Sequence, residues 1–93
     1  MAKETMKAIF KLTPYAGDCI AFLPEVLANP GAIFSYMHVG QGGEADREFF
    51  YECSPANVED FRDLEAEIED LYEVEIIRMK RLPKYWSWFD KFE

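Results

Sequence analysis

The sequence predicts an α+β domain: an antiparallel-dominated sheet of about five strands, in the order β-β-β-β-α-β, with one amphipathic acidic helix packed on one face. Three observations predict it. Short apolar or alternating segments bounded by proline and glycine fill the first half of the chain, a stretch with apolar residues at helical spacing follows from Val58, and near-alternation returns at 74–82. With 93 residues, a chain that buries only roughly 60–65% of its unfolded surface supports one core, so 1–93 is read as a single domain.

The elements follow in order. Residues 6–12 mix apolar side chains with spaced lysines and end at Thr13-Pro14, a first strand and its stop. Tyr15 to Asp18 is turn chemistry, and the continuous apolar run 19–23, closed by Pro24, reads as a buried second strand returning as a hairpin. Residues 24–28 have room for about one helical turn. Asn29-Pro30-Gly31 supplies a type II turn signal, with proline pre-setting φ and glycine admitting φ > 0. A third strand spans 32–39. The glycine-rich, polar segment 40–46 is expected to be a flexible loop. Residues 47–53 then read as a fourth strand with Phe49, Tyr51 and Cys53 on one face, a helix being the alternative. Ser54-Pro55 breaks it.

Asn57 is the expected N-cap of the helix, with Asp60 reaching back in a variant capping box. From there Val58, Phe61, Leu64, Ile68, Leu71 and Tyr72 span roughly 140° on a helical wheel, the width of a core-facing stripe. The last strand, 74–82, stops at Pro83. An aromatic tail carrying Tyr85, Trp86, Trp88, Phe89 and Phe92 is expected along an edge or in a groove. One helix cannot cover both faces of five strands. The second face must be solvated, covered by the tail, or buried in an oligomer.

Charge is the most localised property of the chain. The stretch 59–75 holds nine acids and one base, a net charge of −8, and the whole chain also sums to −8. Everything outside the stretch is therefore neutral. At 1.5 Å rise per residue this is about one charge per 3 Å, near the one phosphate per 3.4 Å of a DNA strand. Such a face either solubilises the helix or steers it onto a cationic partner. Glu59, Asp63, Glu67, Asp70 and Glu73 are the candidate partner-binding residues, for a protein with a basic surface. Like-charge i,i+4 pairs make the face destabilising by about 1–2 kcal/mol, which stripe packing exceeds.

Other constellations carry less. Gly40-x-Gly42-x-x-Ala45 has the letters of a dinucleotide fingerprint but lacks the following helix and returning parallel strand that the fingerprint needs. His38, the sole histidine, lies near Gln41, Glu44 and Asp46 in sequence, a set read as the alternative small-ligand or catalytic centre. Cys19 sits in an apolar run that disfavours a thiolate nucleophile, and the two cysteines match no metal-ligand spacing. Arg78, Lys80, Arg81 and Lys84 followed by tryptophans resemble the interleaving of single-strand binders. The neighbouring acidic helix would repel a phosphate backbone, so direct nucleic-acid binding is not expected. Tyr85, Trp86, Trp88 and Phe89 form a secondary interaction surface, the basis of a homo-oligomer reading. No cofactor, metal or catalytic role is expected. No stretch reads as a signal peptide or bilayer span, and the chain is expected to be cytoplasmic.

The run Ser35-Tyr36-Met37-His38-Val39-Gly40-Gln41, then Gly43-Glu44-Ala45, Phe49-Phe50-Tyr51 and the acidic helix ending in Leu71-Tyr72-Glu73, resembles a group of short uncharacterised proteins of gut bacteria, their phages and mobile elements. The resemblance covers roughly residues 7–82. Such proteins often place a histidine after the Gly-Gln pair, where this chain has Gly42. The resemblance carries no activity; it implies an accessory protein of a phage or mobile element, a setting in which small acidic domains act as inhibitors of host proteins.

Overall fold

In the computed structural model, which describes residues 4–38 and 41–89, with the side chain of Gln41 excepted, the elements run β1 (Glu4–Leu12), β2 (Cys19–Leu23), β3 (Ala32–Met37), β4 (Gln41–Asp46), α1 (Arg47–Glu52), β5 (Ser54–Pro55), α2 (Val58–Tyr72) and β6 (Val74–Arg78). The expected strand end at Val39, the glycine Gly40 and the tail residue Phe92 lie outside the described residues. The fold class is the expected one, an α+β arrangement with a mainly antiparallel sheet of six strands.

β1 is the strand on which the sheet is built. Along one edge it pairs antiparallel with β2, from Ile9↔Phe22 to Leu12↔Cys19. Its other edge is shared: β6 runs parallel beside Glu4–Ala8, and β5 pairs antiparallel with Lys11 and Leu12. β3 and β4 extend the sheet beyond β2. The turn before β3 has the expected type II form: Ala32 N–H donates to the Asn29 carbonyl at 3.0 Å, and Gly31 sits at φ 86°.

Alternation along β1 sends side chains to two separate cores. Ala8 and Phe10 join Ala21, Leu23 and Tyr36 beneath Phe61, Leu64 and Ile68 of α2. Ile9, with Ile20, Phe22 and Ile33, faces Phe50 and Cys53 around α1 and Trp88 of the tail. Tail and α1 together therefore cover the second face. The Gly31 N–H donates to the Trp88 carbonyl at 2.6 Å, and Trp88 meets Phe50 edge-on at 5.5 Å.

Four expectations are corrected. Of the expected loop 40–46, the described residues Gln41–Asp46 form β4, in register from Met37↔Gln41 to Ala32↔Asp46. Packing is tight at one of its two glycines: a Cβ on Gly42 would lie 3.1 Å from Cζ of Phe34, close enough that the ring would have to shift. Segment 47–53 is not a strand: Arg47–Glu52 is helical, capped by Asp46, whose carboxylate accepts the Phe49 N–H at 2.8 Å. Phe50 and Cys53 are buried and Phe49 half-buried, whereas Tyr51 is exposed, a helical rather than an alternating pattern. Ser54-Pro55 serves as the short strand β5 rather than a plain break, and β6 ends at Arg78, short of Leu82.

In α2, Phe61, Leu64 and Ile68 are buried, while Val58 and Leu71 at the two margins of the expected stripe are exposed. Its N-terminus is closed as expected, with the Asn57 N–H donating to Asp60 at 2.9 Å. The C-cap, Glu73, takes the left-handed conformation at φ 55°.

The tail's packing role is testable. Replacing Trp88 by alanine removes a ring that is only 8% exposed and is expected to destabilise the domain by about 3–5 kcal/mol in urea unfolding. A loss below about 1 kcal/mol would show that the second face does not depend on the tail.

Candidate functional site

The acids of α2 divide by position on the helix. At about 100° per residue, Glu65 and Glu69 fall on the flank beside β6, Glu67 on the opposite flank beside β3, and Glu59, Asp63 and Asp70 within about 40° of one another on the outer side. The contacts follow this division. Glu65 takes Arg78 in a two-pronged ion pair, Nε at 2.8 Å and Nη2 at 2.9 Å, which raises the guanidinium pKa further through the hydrogen bond and the charge of Glu65. Glu69 accepts the Ile76 N–H at 3.0 Å.

Glu67 holds two groups of β3 and its end. One carboxylate oxygen accepts the Tyr36 hydroxyl, and the other lies 2.8 Å from Nδ1 of His38. Tyr36 is buried, at 4% exposure, so this hydrogen bond satisfies a hydroxyl that has little access to water. The His38 and Glu67 side chains are partly solvated. A carboxylate that orients an imidazole through Nδ1 leaves Nε2 pointing away, which is one half of proton-transfer machinery. A nucleophile or a substrate-holding cavity would be the other half.

Glu44 and Asp46 of the expected small-ligand set serve elsewhere. Glu44 pairs in register with Phe34, four residues and roughly 13 Å along the strand from His38. There it accepts the Asn29 N–H at 3.2 Å and the Asn29 side-chain amide at 3.1 Å. Asp46 caps α1. The structure thus brings His38 to Glu67 and not to Glu44 or Asp46; the side chain of Gln41 lies outside the described residues. Among the described residues no three His, Cys, Asp or Glu side chains converge in a manner that could hold a metal ion.

The tail residues also separate. Trp88 is buried in this chain's own core and Trp86, partly buried, packs edge-on against it at 4.8 Å. Tyr85 lies over Lys7, its hydroxyl 3.2 Å from Nζ, a hydrogen bond that raises the lysine pKa. Phe89 is exposed. Of the partner-binding candidates, Glu59, Asp63, Asp70 and Glu73 are exposed and make no ion pair or side-chain hydrogen bond among the described residues. Glu67 is set apart from them by its contacts.

The cysteines offer no ready nucleophile. Burial, with the charge of Asp60 as a lesser cause, pushes the Cys19 thiol up to about 11, and burial likewise raises Cys53.

Sequence reasoning missed the pairing of Glu65 with Arg78 and the joining of Tyr36, Glu67 and His38, which bring together residues 13 and about 30 positions apart. It also missed an open groove where β1 emerges between β5 and β6. Comparison with known proteins finds no matching family model, no similar curated protein and no similar solved structure. Among the described residues no helix is long and apolar enough to cross a membrane.

Two measurements follow. Reversing Glu67 to lysine removes the carboxylate that holds Tyr36 and His38 and is expected to lower stability by about 1–3 kcal/mol, whereas Asp70→Lys should stay within about 0.5 kcal/mol of the parent; denaturant midpoints of the two variants compare them directly. Because the Cys19 thiolate forms only as pH rises towards about 11, iodoacetamide should label this thiol about a hundredfold more slowly at pH 7 than a thiol of pKa near 9, with the rate climbing through that range.

Proposed function

We propose that this chain is a small non-enzymatic protein-binding module whose outward carboxylates engage a basic surface on a partner protein. The observation that supports it is the division of the acidic helix. Asp60, Glu65, Glu67 and Glu69 are used within the fold, as cap, ion pair, clamp and backbone acceptor. Glu59, Asp63, Asp70 and Glu73 are all exposed, and their side chains make no ion pair or hydrogen bond among the described residues, although like charges spaced along one face weaken a helix. A row that opposes folding and serves no internal contact is best explained by what it meets outside. Spread from Glu59 to Glu73, about 21 Å at 1.5 Å rise per residue, the four outward carboxylates form a sparser row than a phosphate backbone but still favour a partner with a basic surface, and the reading is of an inhibitor acting in the cytoplasm of a bacterial or phage-infected cell, in the manner of a DNA mimic.

Charge reversal tests it. The triple variant Glu59→Lys, Asp63→Lys, Asp70→Lys is expected to keep its thermal midpoint within a few degrees of the parent and to lose a partner captured from host lysate. Capture by the parent should also weaken as salt rises from 50 to 500 mM, since exposed charges are screened. A partner held equally by the triple variant, at low and high salt alike, would refute the reading.

The homo-oligomer reading keeps one supporting observation: Tyr51 and Phe89, both exposed, lie beside the tail cover of the second face. It now rests on those rings rather than on the tryptophans. A strict monomer by sedimentation at high concentration would remove it.

A further inference from the structure

The groove beside β1 differs in charge from the rest of the molecule. It opens where β6 leaves the strand after Ala8↔Arg78 and before β5 joins at Lys11↔Pro55. Its volume is about 640 Å³, within the range of small-molecule sites. The floor is apolar, made by Ile9, Phe10, Val58, Phe61 and Met79. Its charged lining is Lys11, Arg78 and Lys80, with no carboxylate residue among the groove's lining residues, in a chain of net charge −8.

The three cations are not equivalent. Arg78 is occupied by Glu65 and lies over the Phe61 ring at 5.1 Å, so it contributes little net charge. Lys11 has no carboxylate partner; its ammonium donates to the Phe50 carbonyl at 3.1 Å and sits 4.0 Å from the centre of that ring. Lys80 is exposed and makes no ion pair among the described residues. Phe10 and Phe61 stack on each other at 4.3 Å, and Arg78 takes Phe61's other side. Each of the two rings has one face taken by the other. The floor beside them is completed by the side chains of Ile9, Val58 and Met79, surface that a flexible chain can follow.

The gap in the strand edge is also too short for a peptide. Only Ile9 and Phe10 lie between the partners of β6 and those of β5, whereas an added strand needs a longer run of edge backbone. From the apolar floor, the exposed Lys80 ammonium and the short edge we propose that this groove is a binding site for an amphipathic small anion, a carboxylate carried on a short acyl chain, with the chain on the Val58–Phe61 floor and the carboxylate at Lys80. The site is separate from the outward acidic row, and neither depends on the other.

Sodium octanoate is the probe, with octanol, acetate and phenyl phosphate as comparators, followed by amide chemical shifts of the whole chain. Octanoate is expected to bind on the order of a millimolar, with shifts concentrated at Ile9 to Lys11, Ala56 to Phe61 and Arg78 to Lys80. Octanol and acetate should each bind at least about tenfold more weakly, because each lacks one half of the recognition. Phenyl phosphate separates the ligand classes: equal or tighter binding by it would overturn the acyl assignment. Lys80→Glu, a change at an exposed residue, should weaken octanoate by about tenfold, the scale of one charge-assisted contact. Val58→Trp, which places a ring over the floor, should do the same without loss of the folded spectrum. Absence of saturable octanoate shifts, shifts lying elsewhere, equal binding of octanol, or undiminished binding by both variants would each overturn the proposal.

Discussion

Both cores of this domain hang on β1. Ala8 and Phe10 look towards α2, Ile9 looks towards α1 and the tail, and the strand's two edges carry β2 on one side and β5 with β6 on the other. Ala8 and Ala21, the latter the cross-strand partner of Phe10, are fully buried, and their small side chains let α2 approach the sheet closely enough for Phe61 to stack on Phe10 at 4.3 Å. The sheet's second face is closed by rings instead of a second long helix. Phe50, Trp88 and Trp86 meet at near-perpendicular angles over Ile9, Ile20 and Phe22. Other rings serve elsewhere: Phe10, Tyr36 and Phe61 fill the core beneath α2, and Tyr15, Tyr51, Tyr85 and Phe89 are exposed.

The same geometry decides what the acidic helix can do. Leu64 and Ile68 fix which side of α2 points at the sheet. That choice sends Glu65 and Glu69 to β6, Glu67 to β3, and Glu59, Asp63 and Asp70 to water. Carboxylates on the two flanks become ties between helix and sheet, each satisfied by a donor from a neighbouring strand. Repulsion along the helix is thereby partly offset by contacts that a neutral helix would lack. The outer row has no such compensation, and this asymmetry is the physical basis for the proposal that it meets an external partner.

Most of the fold was legible because its strongest signals are local. The α2 stripe, its Asn57–Asp60 start, the β1–β2 hairpin and the Pro30-Gly31 turn each rest on residues close together in the chain. The two misread segments failed for identifiable reasons. Phe49, Phe50, Tyr51 and Cys53 satisfy a two-residue and a helical period almost equally over so short a span; the deciding feature was Asp46 three residues before Phe49. Glycines in β4 mimic a loop, and only the ring of Phe34 across the ladder explains Gly42. The clamp of Tyr36, Glu67 and His38 was not legible, because nothing in a one-dimensional pattern relates β3 to the far flank of α2. Its two halves were each picked out, for different roles, without the link between them.

The dependence on β1 is open to direct measurement by native-state hydrogen exchange. If both cores are anchored on this strand, the amides of Ala8, Ile9 and Phe10 exchange only through global unfolding, with protection equal to the free energy from denaturant and equal to that of Leu64 and Ile68 in α2. Exchange of those β1 amides through a local opening, while the α2 amides remain protected, would contradict the account.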